Sequence, residues 1–379
     1  MSNIFTDAIK NLLGPVDNLL EDDSISEILI NGPHKIFVES KGILRSVPNQ
    51  FSDDEALKAS IRAIAQFVGK VIDENNPRLD ARLPDGSRIA AVIPPLSHGG
   101  TTVAIRKFSK TKLGLKDLIS FGSLSPDAAR FLDCCIYLGK NLIVSGGTGS
   151  GKTTMLNVLG SRIPRTQRLL LIEDASELQI DADHVVRFEA QEDNPEKGIK
   201  GVSIGDLLKS ALRLRPDRIV VGEVRGEEAI DLLTAMGTGH DGSMGTLHSN
   251  NPDAAVLRLE TMCLSGESKL PIDALRKMIS ETVHLIVQCN RLHDGSRKTT
   301  HISEVVGLDK NGQYVVRDIF KFVQTDKDDD GKIIGEMIPM NYVPTFFEDF
   351  VANKLPFSKA KFRTPQWYIN SLSDMKKAG

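Results

Sequence analysis

The chain has 379 residues, 40% of them hydrophobic and 26% charged, enough for two or three domains without disulfides or structural metal. Its charge is nearly balanced (47 − 50 = −3) and aromatic residues make up only 5%, so neither electrostatics nor base stacking points to direct nucleic-acid binding. Cys134 and Cys135 adjoin, Cys263 and Cys289 stand apart, and no C-x-x-C pair occurs. That pattern argues against zinc and predicts small apolar fillers in a reducing cytosol. The N-terminal stretch lacks a basic region and soon turns acidic, unlike a signal peptide. The longest apolar runs, such as Thr282–Val287, are too short to span a bilayer, so no transmembrane segment is expected.

Along the chain, Ile4, Ile9, Leu12 and Leu13 have helical spacing that Gly14-Pro15 should end. Glu27–Asn31, Lys35–Glu39 and Ile43–Val47 read as strands, the last two joined by a turn at Ser40-Lys41-Gly42. Ser52 and Glu55 read as a capping box opening a helix whose stripe is Leu57, Ile61, Ile64, Ala65 and Val68. Leu79–Leu83 and Arg88–Ile93 flank a Pro84-Asp85-Gly86 turn, and Thr102–Phe108 is a further strand. Residues 1–108 thus read as a smaller α+β N-terminal domain, and 109–125 as a linker with one short helix. From 126 to 379, helices alternate with short apolar strands, the signature of a doubly wound parallel sheet. Those strands are Leu142–Val144, Leu169–Ile172, Ile219–Val221, Met244–Leu247 and Leu285–Val287. A hairpin of Ile302–Val306 and Tyr314–Val323 follows, then a charged turn Asp326–Asp330 and a tail read as helices.

The strongest chemical signal is Gly146-Gly147-Thr148-Gly149-Ser150-Gly151-Lys152-Thr153, which matches G-x-x-x-x-G-K-S/T between a strand and a helix beginning Thr154-Met155-Leu156. Glycines let backbone N–H groups turn around a phosphate, and the helix N-terminus adds a positive dipole. Lys152 should reach the β- and γ-phosphates of ATP, and Thr153 should ligate Mg²⁺. In an open α/β sheet, ligands lie beyond the C-terminal strand ends. There stand Glu173-Asp174, Gly222-Glu223 and His248. Glu223 is the first candidate for activating water, with Glu173 the alternative, and Gly222 stands where a metal-binding Asp is common. His248 is placed to sense the γ-phosphate, and His240 lies in a glycine-rich loop before the same strand. A lone acid at a strand end is usually a solvated turn, and a lone histidine is usually structural. The argument rests on three such ends meeting one phosphate loop.

These residues resemble the type II/type IV secretion ATPase superfamily. The resemblance is carried by the phosphate loop, an "Asp box" Ile172-Glu173-Asp174-Ala175-Ser176-Glu177-Leu178, the run Leu214–Gly226, and a "His box" from Thr238-Gly239-His240 to Leu247-His248. Within it, Asp241-Gly242-Ser243-Met244 and Asn31-Gly32-Pro33 ahead of a Val38-Glu39 strand look most like the tight-adherence (Tad/CpaF) pilus branch. The four-cysteine zinc module common in the type II secretion and pilus-assembly branches is lacking. The resemblance implies a RecA-like ATPase motor with a C-terminal appendage, working as a homohexamer with nucleotide sites between the N-terminal module and the motor. It also implies a cytoplasmic protein held at the inner membrane by pilus platform proteins. Arginines of the N-terminal module are expected on the phosphates, here Arg88 and Arg106, because a guanidinium fork matches phosphoryl oxygens. Either could instead sit at a strand end in water, and Arg225 could couple the Glu223 strand to a neighbour or form a surface ion pair. A type IV secretion or conjugation ATPase of the same superfamily is the nearest alternative. A small-molecule kinase, a nucleic-acid motor and a non-hydrolysing scaffold are the competing classes.

Overall fold

The protein, seen in a computed structural model, is described over residues 12–40, 42–108, 112–191, 193, 198, 200–266 and 270–371. It divides into two compact units, Met1–Lys112 and Leu113–Gly379. The expected N-terminal helix up to residue 11 lies outside the described residues, as does Lys41 of the expected hairpin turn. Helical backbone at Leu12 gives way to a turn at Leu13, directly ahead of Gly14-Pro15 as expected. Gly14–Val16 forms a 3₁₀ turn with Pro in its first turn and leads into α1 (Asp17–Glu21), which buries Val16 and Leu19.

In the first unit, β1 (Ile25–Asn31), β2 (Ile36–Ser40), β3 (Ile43–Val47), β4 (Arg78–Arg82), β5 (Arg88–Val92) and β6 (Thr102–Arg106) form one sheet in the order β3-β2-β1-β6-β5-β4. Every neighbouring pair is antiparallel. Alternation sends Ile28, Ile30, Val38, Leu79, Ile89, Val103 and Ile105 to one face, where Leu57, Ile61 and Ile64 of α2 (Asp54–Phe67) join them. The cap of α2 corrects the sequence reading. Asp53, not Ser52, sits in extended conformation and accepts from the Ala56 N–H at 2.8 Å, while Glu55 reaches Lys58 instead of the cap backbone.

The second unit carries α3 (Leu115–Ser120), α4 (Pro126–Tyr137), β7 (Leu142–Gly146), α5 (Lys152–Gly160), β8 (Leu169–Glu173), β9 (Val185–Glu189), α6 (Ile204–Ala211), β10 (Arg218–Val221), α7 (Glu228–Gly237) and β11 (Met244–Leu247). Then come α8 (Pro252–Ser265), α9 (Ile272–Thr282), β12 (Leu285–Arg291), β13 (Arg297–Leu308), β14 (Tyr314–Lys327), β15 (Ile333–Pro339) and α10 (Phe347–Ala352). They build a nine-stranded sheet, β15-β14-β13-β12-β7-β11-β10-β8-β9, parallel from β12 to β9 and antiparallel from β12 to β15. Apolar clusters cover both faces. Two strands escaped the sequence reading. β9 is a half-buried edge strand with polar alternation, and β15 stands where helices were expected, pairing along β14. The tail then docks through Phe350 and Phe362, whose ring centroids both lie 5.8 Å from that of Phe131 on α4. All four cysteines are buried.

At the N-terminal edge of the parallel strands, Asn141 ties four segments. Its Nδ2 donates to the Met236 and Thr282 carbonyls, and its Oδ1 accepts from the Gly242 and Ser243 N–H groups. Its own N–H donates to His284 Nδ1 at 3.1 Å, so that nitrogen must stay unprotonated. Burial, with the nearby Lys140 charge, pushes His284 down from 6.5 to about 4. The native imidazole is therefore neutral over a range where the unfolded one charges. Stability contributed above pH 6.5 is lost as pH falls toward 4, by roughly 3 kcal/mol for the full interval. Urea midpoints should fall with pH in that window, and His284→Asn, which keeps an acceptor at the Nδ1 position, should flatten the fall. An unchanged slope in the variant would assign the acid sensitivity elsewhere.

Candidate functional site

The phosphate loop leaves β7, the fifth of the nine strands, between β11 and β12. Gly146 has no room for a side chain, because a Cβ would overlap the Cys289 carbonyl across the β7–β12 pairing. Gly151 holds φ +95° immediately before α5, a conformation that favours glycine. Lys152 follows as the first helical residue, 9% exposed, its Nζ donating to the Gly147 carbonyl at 3.0 Å; Ser150 Oγ donates to the same oxygen at 2.8 Å. An ammonium folded back onto a loop carbonyl, beside a helix N-terminus, is a cradle built for phosphate. Thr148 lies exposed at the loop tip, and Thr153 and Thr154 occupy the first turn of α5, half-buried.

Register brings the strand ends together. Ser145 pairs with Leu247, Val221 with Gly245, and Val221 with Ile172, so Gly146, His248, Glu223 and Glu173 all lie just past the same edge. Thr246 Oγ1 donates to the Gly222 carbonyl at 2.7 Å and fixes β11 against the turn that carries Glu223. Glu223 is held from two sides. His248 Nε2 lies 2.6 Å from Oε1, and Arg225 Nε donates to Oε2 at 2.8 Å. Arg225 also pairs with Asp174 at 3.0 Å, so Glu223 and Asp174 share one guanidinium. His248 is pushed below its usual range by burial first, then by the Lys152 charge, although Glu223 pulls the other way. The imidazole donates from Nε2 to the Glu223 carboxylate, and burial opposes its taking a second proton.

Glu173 is placed differently. It is 3% exposed, its Oε1 accepts from the Glu177 and Leu178 N–H groups at 2.8 Å each, and Oε2 is buried without a partner. Burial raises its pKa. An orphaned, buried carboxyl oxygen at this sheet edge fits either a proton or the water of a hydrated cation. Mg²⁺ would be held by Thr153 in the first turn of α5. Bound there, it supplies charge neutralisation at the phosphate oxygens.

His240 is not brought to this edge. It precedes β11, at the opposite end of the strand from His248, and its Nδ1 lies 3.3 Å from the Ala235 carbonyl at the end of α7. One side chain at the cradle was missed from the sequence: Arg297 at the start of β13 donates from Nε to the Gly149 carbonyl at 2.8 Å. Only the β12–β13 register, which aligns Arg297 with Arg291 beside the loop, could have pointed to it.

In the first unit, Arg88 pairs directly with Arg106 across β5 and β6, and with Arg82 across β5 and β4. Directly opposed residues share a face, so the three guanidinium stems form a ladder on the side of the sheet away from its core. Glu27 opposes Arg106 on the far side, and Asp80 lies 3.7 Å from Arg88. Like charges opposed in this way destabilise a sheet, and Glu27, Asp80 and the Phe108 ring under Arg82 counter that repulsion. Arg82 was the third member that the sequence reading left out.

A phosphate loop after β7 of a doubly wound sheet, with acids at the same edge after β10 and β8, defines a P-loop nucleotide-binding protein of α/β class, its RecA-like domain preceded by an N-terminal domain. More particularly, the chain belongs to the type II/IV secretion system protein family, whose profile matches residues 10–330. It is 35% identical over 323 residues to the type IV secretion system protein VirB11 of Brucella suis, covering 77% of this chain and 88% of that one. An uncharacterized Methanocaldococcus jannaschii protein is 44% identical over 238 residues, and the match spans 33% of that protein's length. The crystal structure of the pilus retraction motor PilT with bound ADP shares the fold at TM-score 0.54 and 20% identity, over 97% of this chain and 89% of that one. Among the described residues, no helix is long and apolar enough to cross a membrane.

Proposed function

We propose that this chain is an ATP-hydrolysing motor that powers assembly of a surface pilus of the tight-adherence type at the inner membrane, working as a ring of six copies against membrane platform proteins. The observation that carries the catalytic part is the juxtaposition at one sheet edge of buried Lys152, the Glu223 carboxylate and His248, whose Nε2 lies 2.6 Å from that carboxylate. In this reading Lys152 and the loop N–H groups bind the β- and γ-phosphates, and Glu223 takes a proton from water as its oxygen attacks the γ-phosphorus. The bond from phosphorus to the β–γ bridging oxygen breaks, and ADP and inorganic phosphate leave. Arg225, shared by Glu223 and Asp174, links the water-activating acid to the Asp box. Hydrolysis rather than transfer to a second substrate is favoured because the acid and histidine stand at the loop itself.

The pilus assignment is supported by the Asp241-Gly242-Ser243-Met244 loop and by Asn31-Gly32-Pro33. A type IV secretion ATPase is the second reading, favoured by the 35% identity with VirB11. The catalytic test is phosphate release from ATP with water as sole acceptor, which Lys152→Ala should abolish along with tight triphosphate binding. A requirement for any other acceptor would make the protein a kinase. Replacing the chromosomal gene with its Lys152→Ala form should then strip the host of fibres while leaving protein or DNA export intact. Loss of export with normal fibres would select the secretion reading.

A further inference from the structure

Gln288 lies on β12, fully buried, opposite Ser145 of β7, the residue that leads into the phosphate loop. Its amide bridges two loops. Oε1 accepts a short hydrogen bond from the Ser145 hydroxyl, one residue before Gly146. Nε2 donates to the Ser249 carbonyl at 3.1 Å, one residue after His248, and to Asn290 Oδ1 at 2.7 Å. The Ser249 carbonyl only accepts, which fixes the amide this way round. Val287 and Cys289, the chain neighbours on β12, are apolar and buried. A buried amide in such a strand is costly unless its hydrogen bonds are made, and here two of the three fall on the segments that meet at the cradle, the third on Asn290 of its own strand.

We infer that Gln288 is a positioning residue for hydrolysis: it holds the His248 loop in register with the phosphate loop, so that His248 stays on Glu223. This rests on the ATPase reading given above. β7 and β11 pair directly as far as Ser145 and Leu247, and Gln288 extends that tie past the strand ends, from the residue before the phosphate loop to the residue after His248. Displacement of the loop by a bound or departing phosphate therefore reaches His248 through one rigid side chain. Small misplacements at such a centre cost about tenfold to a hundredfold in rate, with little change in affinity.

The test is a double-mutant cycle on the full-length protein. Gln288→Met keeps the length and volume of the side chain and removes both tethers. Turnover per folded molecule should fall about tenfold or more, with nearly unchanged affinity for ADP and for a non-hydrolysable ATP analogue. His248→Ala should lower single-turnover rates as well, and adding Gln288→Met to it should cost nothing further, because the tether then has no imidazole to place. A role in general packing would instead multiply the two defects. Should Gln288→Met not fold, Ser145→Ala carries the same cycle with a smaller first step, since the Ser249 tether survives. The inference is overturned if the single variants turn over normally, if the defects multiply, or if His248→Ala is fully active. Failure of the wild-type protein to hydrolyse ATP at all would sink the motor reading itself, which keeps the two failures apart.

Discussion

Replacing Glu223 with glutamine is expected to leave nucleotide binding intact and to slow ATP turnover by ~10²–10⁴-fold, the range for loss of a positioned general base. The amide is isosteric and keeps an oxygen toward His248, whose Nε2–H now donates to the carboxylate at 2.6 Å. It cannot take a proton from water, and it loses the charge that Arg225 shares between Glu223 and Asp174. Binding should hold because Lys152 and the loop are untouched, which equilibrium titration with a fluorescent ATP analogue would read. A Glu223→Gln protein with normal turnover would hand the base to Glu173. That residue is the weaker candidate in geometry. One of its oxygens is fixed by two backbone N–H groups, and its burial favours the protonated form.

The parts of this site that could be read along the chain are those whose position follows from local pattern. A glycine-rich turn between strand and helix announces the phosphate loop. An apolar run ending in an acid or a histidine places Glu173, Glu223 and His248 at the rim of a parallel sheet. His240 carries the same residue type and lies in the same box, yet it falls at the other end of β11, because four strand residues separate the two sheet edges. Gln288 and Arg297 stand more than a hundred residues from the loop they touch, and nothing local distinguishes them from an ordinary strand amide and a surface arginine. Their meaning lies in register, which hydrophobic periodicity leaves open. Arg82 is the same case, since its opposition to Arg88 needs the β4–β5 pairing. The fold erred at its margins for a related reason. The half-buried edge strand β9 and the terminal β15 owe their form to a partner strand more than to their own propensities.

The second large effect concerns who supplies the arginines. The ladder of Arg82, Arg88 and Arg106 belongs to the N-terminal unit, and the phosphate loop belongs to the other. If the ladder serves a neighbouring copy, an Arg88→Ala or Arg106→Ala protein keeps a sound Glu223 but fails its neighbour, and Glu223→Gln has the opposite defect. Each variant alone should be nearly inactive. In rings assembled at random from equal amounts of the two, roughly one interface in four joins a sound Glu223 to a sound arginine, following the logic of a finger supplied in trans. Turnover should therefore reappear on mixing, given subunit exchange. Strict sequential firing would hide that recovery in steady state, so the deciding measurement is a single-turnover burst from rings carrying two different tags, co-expressed and purified through both. A burst near a quarter of the wild-type amplitude would place the arginines across the interface. Doubly tagged rings with no burst would mean that Arg88 and Arg106 serve their own subunit, or that the ladder faces something other than nucleotide.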